Sequence, residues 1–502
     1  VKNQISSSRS SGTAKQVTAI MAGKIIALIA TFAMPLFLTR FLSKSEFGLY
    51  SQFYILINFL TVIFSLGIQS NLYFFYPKAT DQQQKSIVIH TVLFLFLFTI
   101  IAIGIVNLPW LSRFIIGKGE LINYTGFISL GILFLLPVII IEPLYVARAD
   151  NLTSVFYPPA VVLSRLIFVI TFAVIWQSLI SIMSGIIFAA LLCFVFVIFY
   201  ALNGIEVSRI RHYINPGLAL EQFRYSWPFG LALVLNTLAL QFDKIISISF
   251  LTPAAFATYA IAFYGIPGVE QVYQSLSQVY LIKMAEKHHE NKPAEISEIY
   301  KSLVTKTYSF SVPAIILVSL YAKRIIVLFF TDKYMDAIPL FRIYILSFLL
   351  FMLGAGLLLR ATDRTILSLK AYFFSSILTI PLTYFLIKNY GIWGGLTSAM
   401  ISIILPKSIQ LRYEMKLIGS NVRSYFPWKK FRLIALISFI AILPFALIEY
   451  FLEYGNFLVV FFGVAYLAVV SIFEIKYGVF VFDFPSVDKL FRVIAEKLSY
   501  KR

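Results

Sequence analysis

The sequence predicts an all-α polytopic membrane protein with about 14 transmembrane helices, arranged as two related six-helix lobes plus two extra C-terminal helices. Three observations predict it. The 502 residues are 60% hydrophobic and only 13% charged, with a mean hydropathy of +0.86, well outside the range of soluble globular chains. Apolar runs of about 20 residues, enough to cross about 30 Å of hydrocarbon as helix, recur from near the N-terminus to Lys476. Short motifs also reappear at a constant displacement along the chain. Backbone amides in hydrocarbon must pair within their own segment, so helices are the expected spans. The runs lack the ten-residue alternation of a transmembrane barrel.

The apolar runs fall near residues 17–39, 46–72, 87–108, 123–146, 157–176, 179–203, 226–250, 257–282, 304–322, 339–359, 366–387, 391–411, 431–450 and 456–475. This gives a disordered polar lead over 1–16, an N-terminal lobe over 17–215 and a C-terminal lobe over 216–415. Helices 13 and 14 then occupy 416–478, and a tail follows over 479–502. In that tail Val487, Leu490, Phe491, Ile494 and Leu498 share one helical face flanked by Lys489, Arg492, Lys497 and Lys501, the pattern either of a helix lying on an anionic leaflet or of a solvated tail. An even number of spans puts both termini on one side. With the N-terminus cytoplasmic, inside segments hold roughly thirty Lys and Arg residues and outside loops about nine, which favours cytoplasmic termini.

The repeat is specific in its residues. Phe41-Leu42-Ser43 with Phe47, Gly48 and Tyr50 returns as Phe250-Leu251-Thr252 with Phe256, Ala257 and Tyr259, displaced by about 209 positions. Gln69 and Gln278, and Gly185 and Gly394, match at the same displacement, and Asp150 matches Asp363 a few residues further on. Six spans separate equivalent helices, so the two halves share orientation.

The net charge of +19 does not read as a nucleic-acid site, because the basic residues are scattered between spans and no reading motif is present. The lone Cys193 supports neither a disulfide framework nor a metal cluster. His90, His212, His288 and His289 show no metal-ligand spacing, and the sequence holds no phosphate loop and no nucleophile elbow. No catalytic residue, metal site or cofactor is expected, and the chain is not read as an enzyme.

Charged side chains inside spans each cost about 2.5–3.5 kcal/mol to insert, so those present mark either a cavity or a structural ion pair. Lys24, Arg165, Asp243 and Lys244 lie within spans, whereas Arg40, Glu142 and Arg342 lie near span ends, where long side chains reach headgroups. Asn58, Thr61, Ser65 and Gln69 recur at three-to-four spacing on the second span, as do Glu270, Gln274 and Gln278 on the eighth. These stripes line a wet surface or hold helices together through hydrogen bonds.

The run Leu38-Thr39-Arg40-Phe41-Leu42-Ser43-Lys44-Ser45-Glu46-Phe47-Gly48-Leu49-Tyr50 resembles the first-loop signature of bacterial polysaccharide flippases, within the multidrug/oligosaccharidyl-lipid/polysaccharide exporter superfamily. Gln241-Phe242-Asp243 and Tyr390-Gly391-Ile392-Trp393-Gly394-Gly395 are similar too. The resemblance implies a flippase of the bacterial cytoplasmic membrane that carries polyprenyl-diphosphate-linked oligosaccharide to the periplasmic leaflet by alternating access, with membrane lipid and polysaccharide assembly proteins as further partners. Lys24, Arg40, Arg165, Lys244 and Arg342 would meet the diphosphate. Asn58, Gln69, Gln274 and Gln278 would meet the sugars, and Asp243, Glu270 or Glu142 a coupling H⁺ or Na⁺. Other lipid-linked precursor flippases of the lipid II type and multidrug antiporters are the rivals within the superfamily. A membrane polysaccharide polymerase or ligase is the rival from another class, but such enzymes carry a large periplasmic loop that this sequence lacks.

Overall fold

A computed structural model describes residues 33–110, 116, 119–265, 269–290, 292–451 and 455–479. Lys24, most of the first expected span, the polar lead and the patterned tail lie outside them. The described residues are helical with no strand among them. By contact the chain divides into two units, Val1–Ala257 and Thr258–Arg502.

In the first unit α1 (Lys44–Ser65) starts at a capping box: the Ser43 hydroxyl accepts from the Glu46 amide while the Glu46 carboxylate accepts from the Ser43 amide. There follow α2 (Asp81–Asn107), α3 (Thr125–Val138), α4 (Ile141–Ala147), α5 (Asn151–Trp176), α6 (Leu179–Leu202) and α7 (Pro216–Phe250). The last is bent by 54° between Leu238 and Leu240. Helix α3 packs on α1, α2 and α6, α5 packs on α6, and α1 packs on α7. Close approach is set by glycines. A Cβ on Gly230 of α7 would stand 1.8 Å from the Leu66 carbonyl oxygen, and one on Gly48 would stand 1.8 Å from that of Pro253. The sequence repeat counts α7 as the opening of its second copy, whereas its contacts join it to the first unit.

Chain order continues with α8 (Pro253–Ala262), α9 (Val269–His289), α10 (Pro293–Leu320), α11 (Ala322–Phe330), α12 (Ile338–Phe351), α13 (Leu357–Ala361), α14 (Thr365–Ile418), α15 (Trp428–Phe451) and α16 (Asn456–Lys476). Helix α10 is the hub of the second unit, touching α9, α12, α15 and α16. Ile437 and Ile442 of α15 and Tyr466 and Val470 of α16 form a buried cluster against Ile316 and Leu317. At the turn from α9 to α10, Lys287 and then Lys292 hydrogen-bond Glu290 and push its carboxyl down to about 2. These pairs are open to solvent, where ion pairs add little stability.

Ten helices among the described residues are long and apolar enough to cross a membrane, or eleven with the bent α7 counted as one span, against the expected fourteen. The first expected run lies mostly outside the described residues, and the rest of the difference has physical causes. The 54 residues of α14 would extend about 80 Å if straight, far beyond a bilayer of about 30 Å. The chain breaks instead at Gly391 (φ 54°, ψ −129°), so α14 holds two expected runs. The run expected over 257–282 is divided between α8 and α9, and α9 is too polar to pass the same test. The chain is a multi-pass membrane protein.

Gly230→Ala should lower the unfolding midpoint of the detergent-purified protein, a destabilisation of about 1–3 kcal/mol from forced backbone movement. Gly104→Ala, inside α2 with nothing within 4 Å of its Cβ, should not lower it.

Candidate functional site

In the first unit the polar stripe of α1 turns largely onto its own helix. Asn58 Nδ2 donates to the Tyr54 carbonyl at 2.7 Å, Thr61 Oγ1 to Ile57 at 2.8 Å and Ser65 Oγ to Val62 at 2.8 Å. Gln69 is half-buried, and its Oε1 has no hydrogen-bond partner. Arg165 of α5 reaches α1: its Nη1 donates to the Tyr54 hydroxyl and its guanidinium lies 5.0 Å from the Tyr54 ring centre, while its buried Nε has no partner. Arg165 and the start of the α1 stripe therefore come together at Tyr54. Arg40 and Glu142 do not join them. Arg40 is exposed and donates to the Leu36 carbonyl, and Glu142 is exposed. Asp243 is buried and Lys244 half-buried on the part of α7 beyond its bend.

His90 lies inside α2 and is 2% exposed, held at both ring nitrogens. The Asn215 amide donates to Nε2 at 2.9 Å, so Nδ1 carries the proton and donates to Gln222 Oε1 at 2.9 Å. Gln222 Nε2 in turn donates to Asn71 Oδ1 and the Ile87 carbonyl, and Asn71 pairs with Thr91. Every strong group in this network is used.

The second unit contains a polar cavity of about 400 Å³. Gln274 and Gln278 of α9 line it, as do Tyr273 and Ser277, with Gln274 also donating to Glu270 Oε1 at 3.0 Å. Arg342 lies apart, exposed, donating to the Ser319 carbonyl. The remaining wall comes from residues that sequence reasoning did not select: Arg360 at the end of α13, and Ser368, Tyr372, Lys407 and Gln410 of α14. Among its lining residues are two cations and no acid. Gln410 Oε1 and Ser368 Oγ are buried there without hydrogen-bond partners.

A backbone break organises this wall. Between α12 and α13 the chain passes through Gly354 (φ 73°) and Gly356 (φ 90°), left-handed conformations that glycine adopts without strain. The amides and carbonyls freed by the break are met by one face of α14. Lys407 Nζ donates to the Ala355 carbonyl at 3.3 Å, and Glu414 Oε1 accepts from the Gly356 amide at 2.8 Å and the Leu358 amide at 3.0 Å. Gln410 packs on Gly356, where a Cβ would come within 2.8 Å of its Oε1. Positions 407, 410 and 414 fall on one helical stripe, which is the signal that would have found them.

The arrangement is a multi-pass helical membrane protein with a cationic, hydrogen-bonding cavity in its second unit. The model of the family described as "Polysaccharide biosynthesis protein" matches residues 37–339, more than half of the chain, and the protein belongs to that family. Its structure is similar to that of lipid II flippase MurJ in an inward closed conformation, with a TM-score of 0.65 and 15% identity, covering 92% of this chain and 98% of that one. It is also similar to an inward-facing multidrug resistance MATE family transporter of the MOP superfamily (TM-score 0.62, 12% identity, 80% of this chain and 97% of that one). A MOP superfamily transporter from Pyrococcus furiosus gives 0.53 at 14% identity, over 80% and 94% of the two chains. These likenesses establish the fold. No curated protein sequence matches the chain.

Glu414→Ala would leave the Gly356 and Leu358 amides without their acceptor, at about 1–3 kcal/mol each. Glu414→Gln keeps one carbonyl oxygen in place. Thermal unfolding in detergent should show a clearly lower midpoint for E414A than for E414Q.

Proposed function

We propose that the protein is a flippase that moves a polyprenyl-diphosphate-linked oligosaccharide from the cytoplasmic to the periplasmic leaflet of a bacterial cytoplasmic membrane by alternating access, with both termini cytoplasmic. The observation that carries the reading is the second-unit cavity, which has Lys407 and Arg360 in its wall, no acidic residue among those lining it, and amide and hydroxyl groups around them. A diphosphate resists entering hydrocarbon because its charge loses water. Charge-assisted hydrogen bonds from an ammonium and a guanidinium replace that hydration, and guanidinium suits phosphate oxygens in pairs. Gln274, Gln278, Ser368 and Gln410 supply donors and acceptors of the kind sugar hydroxyls use. Membership of a polysaccharide biosynthesis family supports this cargo, and the shared fold with a lipid II flippase supports a lipid-linked carrier. A multidrug antiporter that takes cationic compounds would be served by acids where this cavity places cations. The same fold likeness favours one second reading, a flippase for lipid II itself.

Of the basic residues picked from the sequence, Arg165 is a further candidate for headgroup contact through its unpartnered Nε. Asp243 and Glu270 stand as candidates for a coupling ion, and Glu142 is a weaker one because it is exposed. Lys24 keeps its proposed role on sequence grounds.

The test is reconstitution in liposomes with a fluorescent polyprenyl-diphosphate oligosaccharide, reading leaflet exposure by a membrane-impermeant quencher. Wild type should accelerate exchange over protein-free liposomes, and Lys407→Met should reduce the rate by about tenfold or more, corresponding to loss of one charge-assisted bond. No acceleration by wild type would overturn the proposal, and faster exchange with lipid II than with the oligosaccharide carrier would replace it by the second reading.

A further inference from the structure

We propose that Glu414 is a proton-binding site, and that its proton and an anion held in the neighbouring cavity stabilise each other. The linkage rests on the transport reading above; the proton site does not.

Glu414 is fully buried. Its Oε1 accepts from the amides of Gly356 and Leu358, with the Leu359 amide also beside the carboxyl, whereas its Oε2 is buried without a well-formed hydrogen bond. The groups facing the carboxyl can be named from each element around it. On its own helix stands Lys407, whose ammonium donates to the Ala355 carbonyl. From α9, α10 and the short helix Val422–Tyr425 come the phenols of Tyr273, Tyr300 and Tyr425. Tyr300 donates its proton to the Leu353 carbonyl, and the Tyr425 hydroxyl lies beside the carboxyl. An ionised Glu414 would therefore be a fully buried charge with no ion-pair contact among the described residues, since the Lys407 ammonium is turned to the Ala355 carbonyl, the arrangement that buried charges avoid. Two further oxygens close by, Gln410 Oε1 one helical turn earlier and the Tyr425 hydroxyl, are also buried without partners. A proton on Oε2 removes the charge and supplies this cluster with a donor. It is taken from water and returned to it, with no other bond made or broken.

The linkage follows from Lys407, which belongs to both places. It lines the cavity, and its positive charge adds to the backbone amides of Gly356, Leu358 and Leu359 in favouring the ionised form of Glu414. An anion bound in the cavity offsets that charge, so Glu414 holds its proton more tightly. Reciprocally, a neutral Glu414 leaves the field of Lys407 to the anion. Protonation should therefore strengthen anion binding, and E414Q should behave as the permanently protonated form.

Infrared difference spectra of the full-length protein in detergent, collected across a pH series, test the proton site. Wild type should show a protonated-carboxyl stretch that disappears as the pH rises and is missing from E414Q; a wild-type spectrum indistinguishable from that of E414Q at every pH would overturn the assignment. The linkage is tested by titrating both proteins with inorganic pyrophosphate, taking the ratio of their affinities at each pH so that ionisation of the pyrophosphate cancels. Wild-type affinity should fall relative to E414Q by up to about tenfold per pH unit through the range where the band disappears. A flat ratio would overturn the linkage. Absence of pyrophosphate binding by both proteins would count against the cavity as an anion site and hence against the linkage, while the infrared result would still decide Glu414.

Discussion

A backbone that leaves the helix where it is buried must have its freed amides and carbonyls paired by other parts of the protein. In the second unit that constraint falls on the segment around Gly354 and Gly356, and one stripe of α14 meets it, with Lys407 on a carbonyl and Glu414 on two amides. Opposite charges are needed because the break exposes both kinds of backbone group. The clasp and the cavity share a residue: Lys407, which meets the break at the Ala355 carbonyl, also gives the cavity wall its ammonium.

The internal repeat shows the same economy of causes. Ser43 and Thr252, equivalent in the two copies, each cap the start of a helix, accepting from the amides of Glu46 and Ala255 at 3.3 Å. Gly185 and Gly394 are equivalent as well, and in each a Cβ would meet a carbonyl oxygen, that of Phe168 at 2.9 Å or of Leu386 at 2.0 Å. Near the matched Asp150 and Asp363 the chain passes through positive φ at Ala149 and at Asp363 itself, just before α5 and α14 begin. Several of the positions that match are ones where backbone geometry restricts the residue. Lipid-facing positions, which any apolar side chain satisfies, are free to differ.

This explains how much could be read from the chain alone. Hydropathy identifies a helical multi-pass protein because length and apolarity are what a bilayer demands. The glycine-rich stretch at Tyr390–Gly395 marks where α14 breaks. Among site residues, Gln274 and Gln278 are found by their spacing and do line the cavity. The same reasoning on α1 identified a polar face but not its partners, since Asn58, Thr61 and Ser65 bond their own backbone carbonyls. Lys407 and Glu414 escaped because a basic, polar stretch at the end of an apolar run reads as solvated loop. Only the fold shows that α14 continues to Ile418 and carries them inside. Arg40, Glu142 and Arg342, chosen for their nearness to apolar runs, lie exposed.

Polar groups inside the two units fall into two kinds, separated by whether hydrogen-bonding capacity is left over. The network of His90, Gln222, Asn71 and Thr91 is closed, since each ring nitrogen and each amide has found its complement. Such a network fixes the start of α7 against α2 and has nothing to offer a ligand. Around the cavity the balance differs, with Gln410 Oε1, Ser368 Oγ and Glu414 Oε2 all unpartnered among buried surroundings. These groups have hydrogen-bonding capacity that the protein itself does not use, and a proton or a hydrogen-bonding anion can meet it. This is a physical basis for selectivity: a ligand that uses this capacity is favoured over a purely apolar one, which does not.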